Sequence, residues 1–271
     1  MFVGNQLTAQ QLTAAYAARD PIRYYEEISI PTRAKIALAL KNLSPLFRQG
    51  VAPRSVLEVG CGDGAFLEAL QEIHPEVCTY GHELPGPLSS LWTAKRLRVF
   101  TGALEEIRDT FGVVVLLDVA EHVPDPNRTF SACRALLDGN GHLYLHTPRL
   151  CLWDRLFLAA RGVPGLGRFC KAWLRARVSI YHLQLWTDRA LAVSLARAGL
   201  EVVYIRRQTE LSWPLERYLR MYLTDRFPRA ALLASPLAAL AGFVFVRLGT
   251  LRNKAVCLAR AAPCPEARHA S

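Results

Sequence analysis

Five residues, Gly60-Cys61-Gly62-Asp63-Gly64, separate a short apolar run, SVLEV (55–59), from an amphipathic stretch, AFLEALQEI (65–73). A strand that ends in a glycine turn and opens straight into a helix is half of a crossover unit, and such units build parallel sheets. The alternation continues along the chain. Val77 to Leu84, Gly112 to Leu117 and His142 to His146 read as buried strands, with helical stretches near 86–96 and 127–137 between them. Residues 187–200, TDRALAVSLARAGL, carry a Thr cap, a periodic apolar face and a Gly199 stop, and lead into the strand EVVYIRR (201–207). A last strand, KAVCLAR (254–260), lies too far on for a hairpin, so a segment is inserted before it. The fold class expected is α/β, a doubly wound, mostly parallel sheet.

Upstream of that core, TRAKIALALKNLSPLFR (32–48) spaces Ile36, Leu40, Leu43 and Phe47 by three and four, as an amphipathic helix does, with Pro45 expected to bend or end it. Residues 1–50 are thus an amino-terminal helical segment or lid, with Tyr24, Tyr25 and Arg33 as groups that could reach a ligand, and 51–271 the main domain. Half of the 271 residues are apolar, which allows a packed core. The seven cysteines are scattered and never in a CxxC, which excludes a zinc ribbon and a disulfide framework. The amino terminus, MFVGNQLTAQQ, has no basic segment followed by an apolar run, so a cytoplasmic protein is expected, at most peripheral to a membrane.

The glycine turn selects its ligand by charge. The Walker pattern is absent and G-x-G-x-x-G is only partly present. Asp63 in the turn and Glu58 at the strand end put negative charge where a pyrophosphate would need bare amides. A ligand with an ammonium and a sulfonium suits that environment, and S-adenosylmethionine is one. The second strand ends in Gly81-His82-Glu83-Leu84, about twenty residues after the turn, where a carboxylate accepts hydrogen bonds from ribose hydroxyls.

VLEVGCGDG (56–64), YGHEL (80–84), FGVVVLLDVAEHVPDP (111–126) and LLDGNGHLYLHTPR (136–149) together resemble the successive motifs of class I S-adenosylmethionine-dependent methyltransferases, closest to the branch of the ubiquinone-biosynthesis O-methyltransferases. The resemblance implies a seven-stranded Rossmann-like sheet whose last strand is antiparallel, with helical insertions at 149–181 and 208–252. It implies a cofactor site made of Glu58, Gly60, Cys61, Gly62, Gly64, Glu83, Leu84, Ala103, Leu104, Leu117 and Asp118. In it the glycines line the methionine, Glu58 orders their loop, Glu83 holds the ribose, Ala103 and Leu104 flank the adenine, and Leu117 and Asp118 close the pocket. Two positions depart from the pattern: Ala103 stands where many members have an acid, and Phe111-Gly112 replaces Phe-Asp. Glu105 is an alternative for the adenine.

At the reacting end, methyl transfer from a sulfonium needs alignment and exclusion of water more than a dedicated base. His122 is the candidate catalytic residue, as base toward a phenol or enol. Asp118, Glu121 and His122, at i, i+3 and i+4, would share one face of a helical turn, and because some quinone O-methyltransferases have a divalent metal at an acid-x-x-Glu-His set in this position, the resemblance implies an alternative reading as ligands of a divalent ion such as Mg²⁺. A third reading has Glu121 and His122 only capping the loop.

Charge divides the chain unevenly. Through residue 148 there are 13 Lys and Arg against 16 Asp and Glu, and from 149 on 20 against 7. Residues 149–181 interleave Leu152, Trp153, Phe157, Phe169 and Trp173 with Arg155, Arg161, Arg168, Lys171, Arg175 and Arg177, as two basic amphipathic helices around a turn at Gly162, Pro164 and Gly165 would. Residues 230–246 are uncharged but interrupted by Ser235-Pro236 and too short to span a bilayer, so a buried helix or an in-plane membrane helix is expected. Basic residues at helical spacing among Trp, Leu and Phe make nucleic acid an unfavoured partner. The acceptor expected is a small, apolar, hydroxylated or lipid-like molecule, with peripheral membrane contact through 149–181 and 230–246. A carrier-protein-bound intermediate, an RNA and a non-catalytic cofactor-binding role stay open as alternatives.

Overall fold

The computed structural model describes residues 29–48, 53–164, 182–210 and 234–262, with Gly167, Cys170, Trp173, Leu174 and Arg177 between them. Tyr24, Tyr25 and most of the second helix expected within 149–181 lie outside the described residues.

Helix α1 (Ser29–Arg48) precedes β1 (Ser55–Val59), α2 (Ala65–Ile73), β2 (Cys78–Glu83), α3 (Ser89–Ala94), β3 (Val99–Thr101), β4 (Phe111–Leu117), α4 (Pro126–Ala135) and β5 (Leu137–Pro148). Then follow α5 (Leu152–Ala160), α6 (Asp188–Arg197), β6 (Leu200–Gln208), α7 (Ala234–Gly242), which continues as a π-helical turn over Phe243–Arg247, and β7 (Lys254–Ala261). The seven strands form one sheet in the order β3-β2-β1-β4-β5-β7-β6. Strands β1 to β5 pair in parallel, while β7 runs antiparallel between β5 and β6. This is the seven-stranded doubly wound sheet expected above.

The side-chain period of two sends alternate strand residues into two hydrophobic layers. Leu57, Val114, Leu116, Leu143 and Leu145 face one way and pack with Phe130 of α4 and Leu191 of α6. Val56, Val113, Val115 and Tyr144 face the other way and pack with Leu43 of α1 and Phe66 of α2. Helix α1 is therefore part of the core, and Asn42 on it donates to the buried Tyr144 hydroxyl at 3.1 Å. Pro45 does not end α1, which runs on to Arg48; its missing N–H falls in the last turn, where it costs one hydrogen bond. The caps are those the sequence supplies: Thr187 accepts from Ala190 N, and Asp125, followed by Pro126 at the first helical position, accepts from Arg128 N.

Gly112 has a packing reason. A Cβ there would come within 2.8 Å of Pro53 Cβ, so the departure from Phe-Asp at 111–112 lets the start of β4 lie against Pro53.

Candidate active site

The glycine turn leaves β1 at the carboxyl edge of the sheet and takes left-handed backbone at Gly60, Gly62 and Gly64 (φ 71°, 53° and 79°). A side chain at Gly60 would strike Val119, since its Cβ would lie 2.6 Å from a methyl of that residue. Gly60 N and Cys61 N both donate to the carbonyl of His82, which docks the turn on the end of β2. Glu83, one residue on, accepts from Gly62 N through Oε2 at 2.8 Å and from Leu84 N through Oε1 at 2.9 Å. Trp92 of α3 donates from its buried indole to Gly62 O at 2.7 Å, and Lys95 reaches Asp63 O at 2.9 Å. The turn is thus held from Glu83, Trp92 and Lys95. Gly81 makes room for it: a Cβ there would overlap Cys61 Sγ.

Glu58 lies beneath the turn, buried, with Oε2 unpartnered among the described residues. Burial pushes its carboxyl well above the ordinary range; Lys35 pulls the other way, and the charges of Asp63 and Glu83 add to the rise. Burial likewise raises the Cys61 thiol, helped by Glu58 and Glu83, and Cys61 packs in the core. An unpartnered buried carboxylate and two further acids around a glycine turn fit a ligand that carries an ammonium and a sulfonium. Farther along the edge, Leu84 and Ala103 are exposed, Leu104 and Leu117 are buried, and Glu105 is paired with Arg128.

Asp118 has a different setting from the one its spacing implied. Its backbone is left-handed (φ 57°), and Glu121 and His122 follow in a tight turn closed by His122 N donating to Val119 O, not on a helix. The Asp118 carboxylate turns back over the sheet. Oδ1 accepts from Lys254 Nζ at 2.7 Å and meets His146 Nδ1 at 2.9 Å, while Oδ2 accepts from Lys35 Nζ at 3.2 Å. Burial would raise this carboxyl, but Lys254, then Lys35 and His146, hold it well below its usual range. His146 is also buried; burial is the largest influence and lowers it, but the charge and hydrogen bond of Asp118 together with Glu210 leave its net shift upward. Its Nε2 stands 3.0 Å from Glu210 Oε2, off the line of a hydrogen bond. Of α1, Lys35 is the basic residue that reaches this cluster, while Arg33, which was expected to reach a ligand, is exposed.

With both oxygens committed to cations, Asp118 does not join Glu121 and His122 as an ion ligand. The third group brought to those two is His182. Leu183 N donates to Glu121 O at 2.8 Å and Gln184 Nε2 to Ala120 O at 2.7 Å, which pins the segment after the first insertion against the β4 turn. The His122 and His182 rings meet edge to face at 4.9 Å. Burial, then His122 and Lys254, push His182 down to about 4. Glu121 is fully buried: Oε2 accepts from Thr147 Oγ1 at 2.9 Å, and Oε1 lies 3.9 Å from His122 Nε2. Burial and the Asp118 charge raise its carboxyl.

The two insertions meet at the same edge. Asp154, buried on α5, accepts from Trp173 Nε1 and Arg177 Nε at 3.0 and 3.1 Å, and Arg177 also donates to Arg149 O at the end of β5. Phe245, from the second insertion, packs edge to face on Trp153 and Trp173 with centroids 5.0 and 5.6 Å away. The outer side of α5 exposes Leu152, Arg155 and Leu156, and that of α7 and its π-turn exposes Leu240, Phe243 and Arg247. No helix of the described residues is long and apolar enough to cross a membrane.

Comparison with known proteins agrees with this geometry. A family described as a methyltransferase domain matches residues 32–205. A ubiquinone biosynthesis O-methyltransferase of Idiomarina loihiensis is 28% identical over 150 residues, 52% of this chain and 54% of that one. One of Pseudomonas paraeruginosa is 34% identical over 108 residues, 37% of this chain and 47% of the other. The chain therefore spans about half the length of the curated relatives it matches. Among solved structures, magnesium protoporphyrin IX methyltransferase from Synechocystis with bound S-adenosylhomocysteine superposes with a TM-score of 0.55 at 12% identity, covering 96% of this chain and 90% of that one. A 1,6-didemethyltoxoflavin-N1-methyltransferase of Burkholderia thailandensis, also with bound S-adenosylhomocysteine, gives 0.54 at 16% identity over 97% of this chain and 94% of the other.

Proposed function

The chain belongs to the methyltransferase-domain family, as a class I S-adenosylmethionine-dependent methyltransferase, and from that premise we propose that it methylates a hydroxyl of an apolar, quinone-like or phenolic acceptor. The observation that carries the cofactor half of this reading is the clasp of Glu83 on Gly62, which supports a single site in which the carboxylate would take the ribose and the turn the methionine. Glu58 would meet the cofactor's ammonium from below. Leu117 and Asp118 would close the floor beside the adenosine, with Leu104 at the adenine.

The acceptor half rests on what stands at the carboxyl ends of β4 and β5. The insertions supply Trp153, Phe157, Trp173 and Phe245 as an apolar wall, and His122, on the turn after β4, is partly exposed. Alignment of acceptor oxygen, methyl and sulfur within such a wall, with water excluded, supplies most of the acceleration. His122 acts on the acceptor hydroxyl. The outward Leu, Phe and Arg side chains of α5 and α7 suit a bilayer interface, from which an apolar acceptor would be drawn. The ubiquinone biosynthesis O-methyltransferases among the matched proteins support the choice of oxygen.

The test is calorimetric titration with S-adenosylmethionine, followed by tritiated methyl transfer to a panel of catechols and hydroxyquinones with prenyl tails of graded length. Cofactor binding with transfer that rises with tail length is expected, and His122→Ala should lose turnover while keeping cofactor affinity. Cofactor binding with transfer only to RNA or to a carrier-bound substrate would overturn the acceptor assignment.

A further inference from the structure

We propose that Trp92 and Lys95, on the crossover after β2, are positioning residues for the cofactor: they act through the backbone of the glycine turn and set how tightly it takes the methionine half of S-adenosylmethionine. The inference rests on the methyltransferase reading and deepens it.

Three consecutive residues of the turn are each met by one side chain from the stretch Trp92 to Leu97. The buried Trp92 indole donates to Gly62 O at 2.7 Å. Lys95 donates to Asp63 O at 2.9 Å and is held in that direction by Glu68 of α2, whose Oε2 accepts from the same ammonium at 2.7 Å. Leu97 lies against Gly64, where a Cβ would come within 2.1 Å of its Cδ1. The stretch can reach all three because Arg96 takes left-handed backbone (φ 57°) just after α3, and Leu97 N then donates back to Trp92 O at 2.9 Å.

These contacts supply order that the turn's own residues lack. Gly62 and Gly64 are left-handed, and glycine has the most conformational freedom to lose. Glu83 holds Gly62 N and Trp92 holds Gly62 O, so the peptide groups on both sides of Gly62 are fixed. Lys95 fixes the next one through Asp63 O. A turn ordered in advance spares its ligand the entropy of ordering it.

The adenosine half of the cofactor does not depend on this clamp. Glu83 Oε1 accepts from Leu84 N at 2.9 Å, so the carboxylate stays on the end of β2 without help from α3. Loss of the clamp should therefore be felt by the amino-acid portion of the ligand and not by its ribose. Burial of an indole does not by itself account for the Trp92 bond either, since the buried Trp186 Nε1 has no partner among the described residues.

Calorimetry on the full chain with S-adenosylhomocysteine and with 5′-methylthioadenosine, which carries the same adenosine and lacks the amino-acid portion, tests this. Trp92→Phe keeps an aromatic ring and removes the N–H; Lys95→Met keeps the stem and removes the ammonium at a partly exposed position where folding is not at stake. Each should weaken S-adenosylhomocysteine roughly tenfold and leave methylthioadenosine unchanged. Lys95→Arg should recover most of the affinity, and Trp186→Phe, which trims a core indole with no bond to the turn, should alter neither ligand. Unchanged S-adenosylhomocysteine affinity in Trp92→Phe and Lys95→Met, or an equal loss for both ligands, would overturn the inference and leave the methyltransferase reading standing. An unsubstituted chain that melts cooperatively yet binds neither ligand would overturn the cofactor reading, and the inference with it.

Discussion

Asp118 and Lys254, 136 residues apart in sequence, are joined at 2.7 Å across the carboxyl edge of the sheet, with His146 of the intervening strand on the same carboxylate oxygen. The contact makes the end of β4 and the start of β7 one electrostatic unit, with Lys35 of α1 on the other oxygen. A partly buried carboxylate shared by three cationic groups stabilises the fold as long as all of them keep their charge.

Replacing that charge should be costly. Asp118→Asn keeps a residue that tolerates left-handed backbone and removes only the charge, so the expected loss of about 3 kcal/mol reports the uncompensated cations. A urea unfolding series checks it; a loss below 1 kcal/mol would show that water already screens the group.

The same network sets a pH profile. Asp118 has a lowered carboxyl, so its contribution is present above the ordinary value of 3.8 and is lost as pH falls through the lower folded value. His146 is raised by Asp118 against burial and Lys254, with Glu210 on its other nitrogen; its contribution is complete below 6.5 and is lost as pH rises through the folded value. Stability should therefore decline on the alkaline side of neutrality, and Asp118→Asn should flatten that limb. Urea midpoints at pH 6, 7, 8 and 9 for both proteins decide it.

Glu83→Ala should weaken S-adenosylmethionine at least tenfold, about 1.4 kcal/mol, because the change removes a ribose acceptor and frees Gly62 N from its partner. Calorimetry of the variant gives the answer, and unchanged affinity would remove Glu83 from the site.

Gly112→Asp, which restores the Phe-Asp pair of the resembling enzymes, should destabilise the chain by about 1–3 kcal/mol, since the new Cβ would press on Pro53 at 2.8 Å. A lowered Tm with unaltered cofactor affinity is expected.

Much of the sheet was legible in the sequence because its strands are short apolar runs bounded by glycine, cap and turn residues. β3 was not: Val99–Thr101 is three residues long and follows a left-handed Arg96, so it offers no run to detect. The glycine turn and Glu83 were legible for the same local reason. Trp92 and Lys95, which hold that turn, carried no signal beyond lying on an expected helix. Asp118 was misread because spacing of three and four presumes a helix, and its left-handed backbone breaks that premise. Lys254, Glu210 and His182 reach the site only through strand order and docking of distant segments, which no local pattern records.

Vesicle flotation should show binding to membranes containing anionic lipid that weakens with salt, and Leu156→Glu with Phe243→Glu should abolish it without loss of Tm. Equal flotation of the double variant would move any membrane contact away from α5 and α7.

Gln208 and Lys254 are register partners at the end of β6 and the start of β7, and Asn253 closes the junction by accepting from Glu210 N and donating to Glu210 O. Everything between them leaves and rejoins the sheet at a single seam. That seam is a cassette boundary: an enzyme engineer could exchange the segment between Glu210 and Asn253 for one from another acceptor specificity, keep the ionic anchor at Lys254, and leave the cofactor half of the protein as it is.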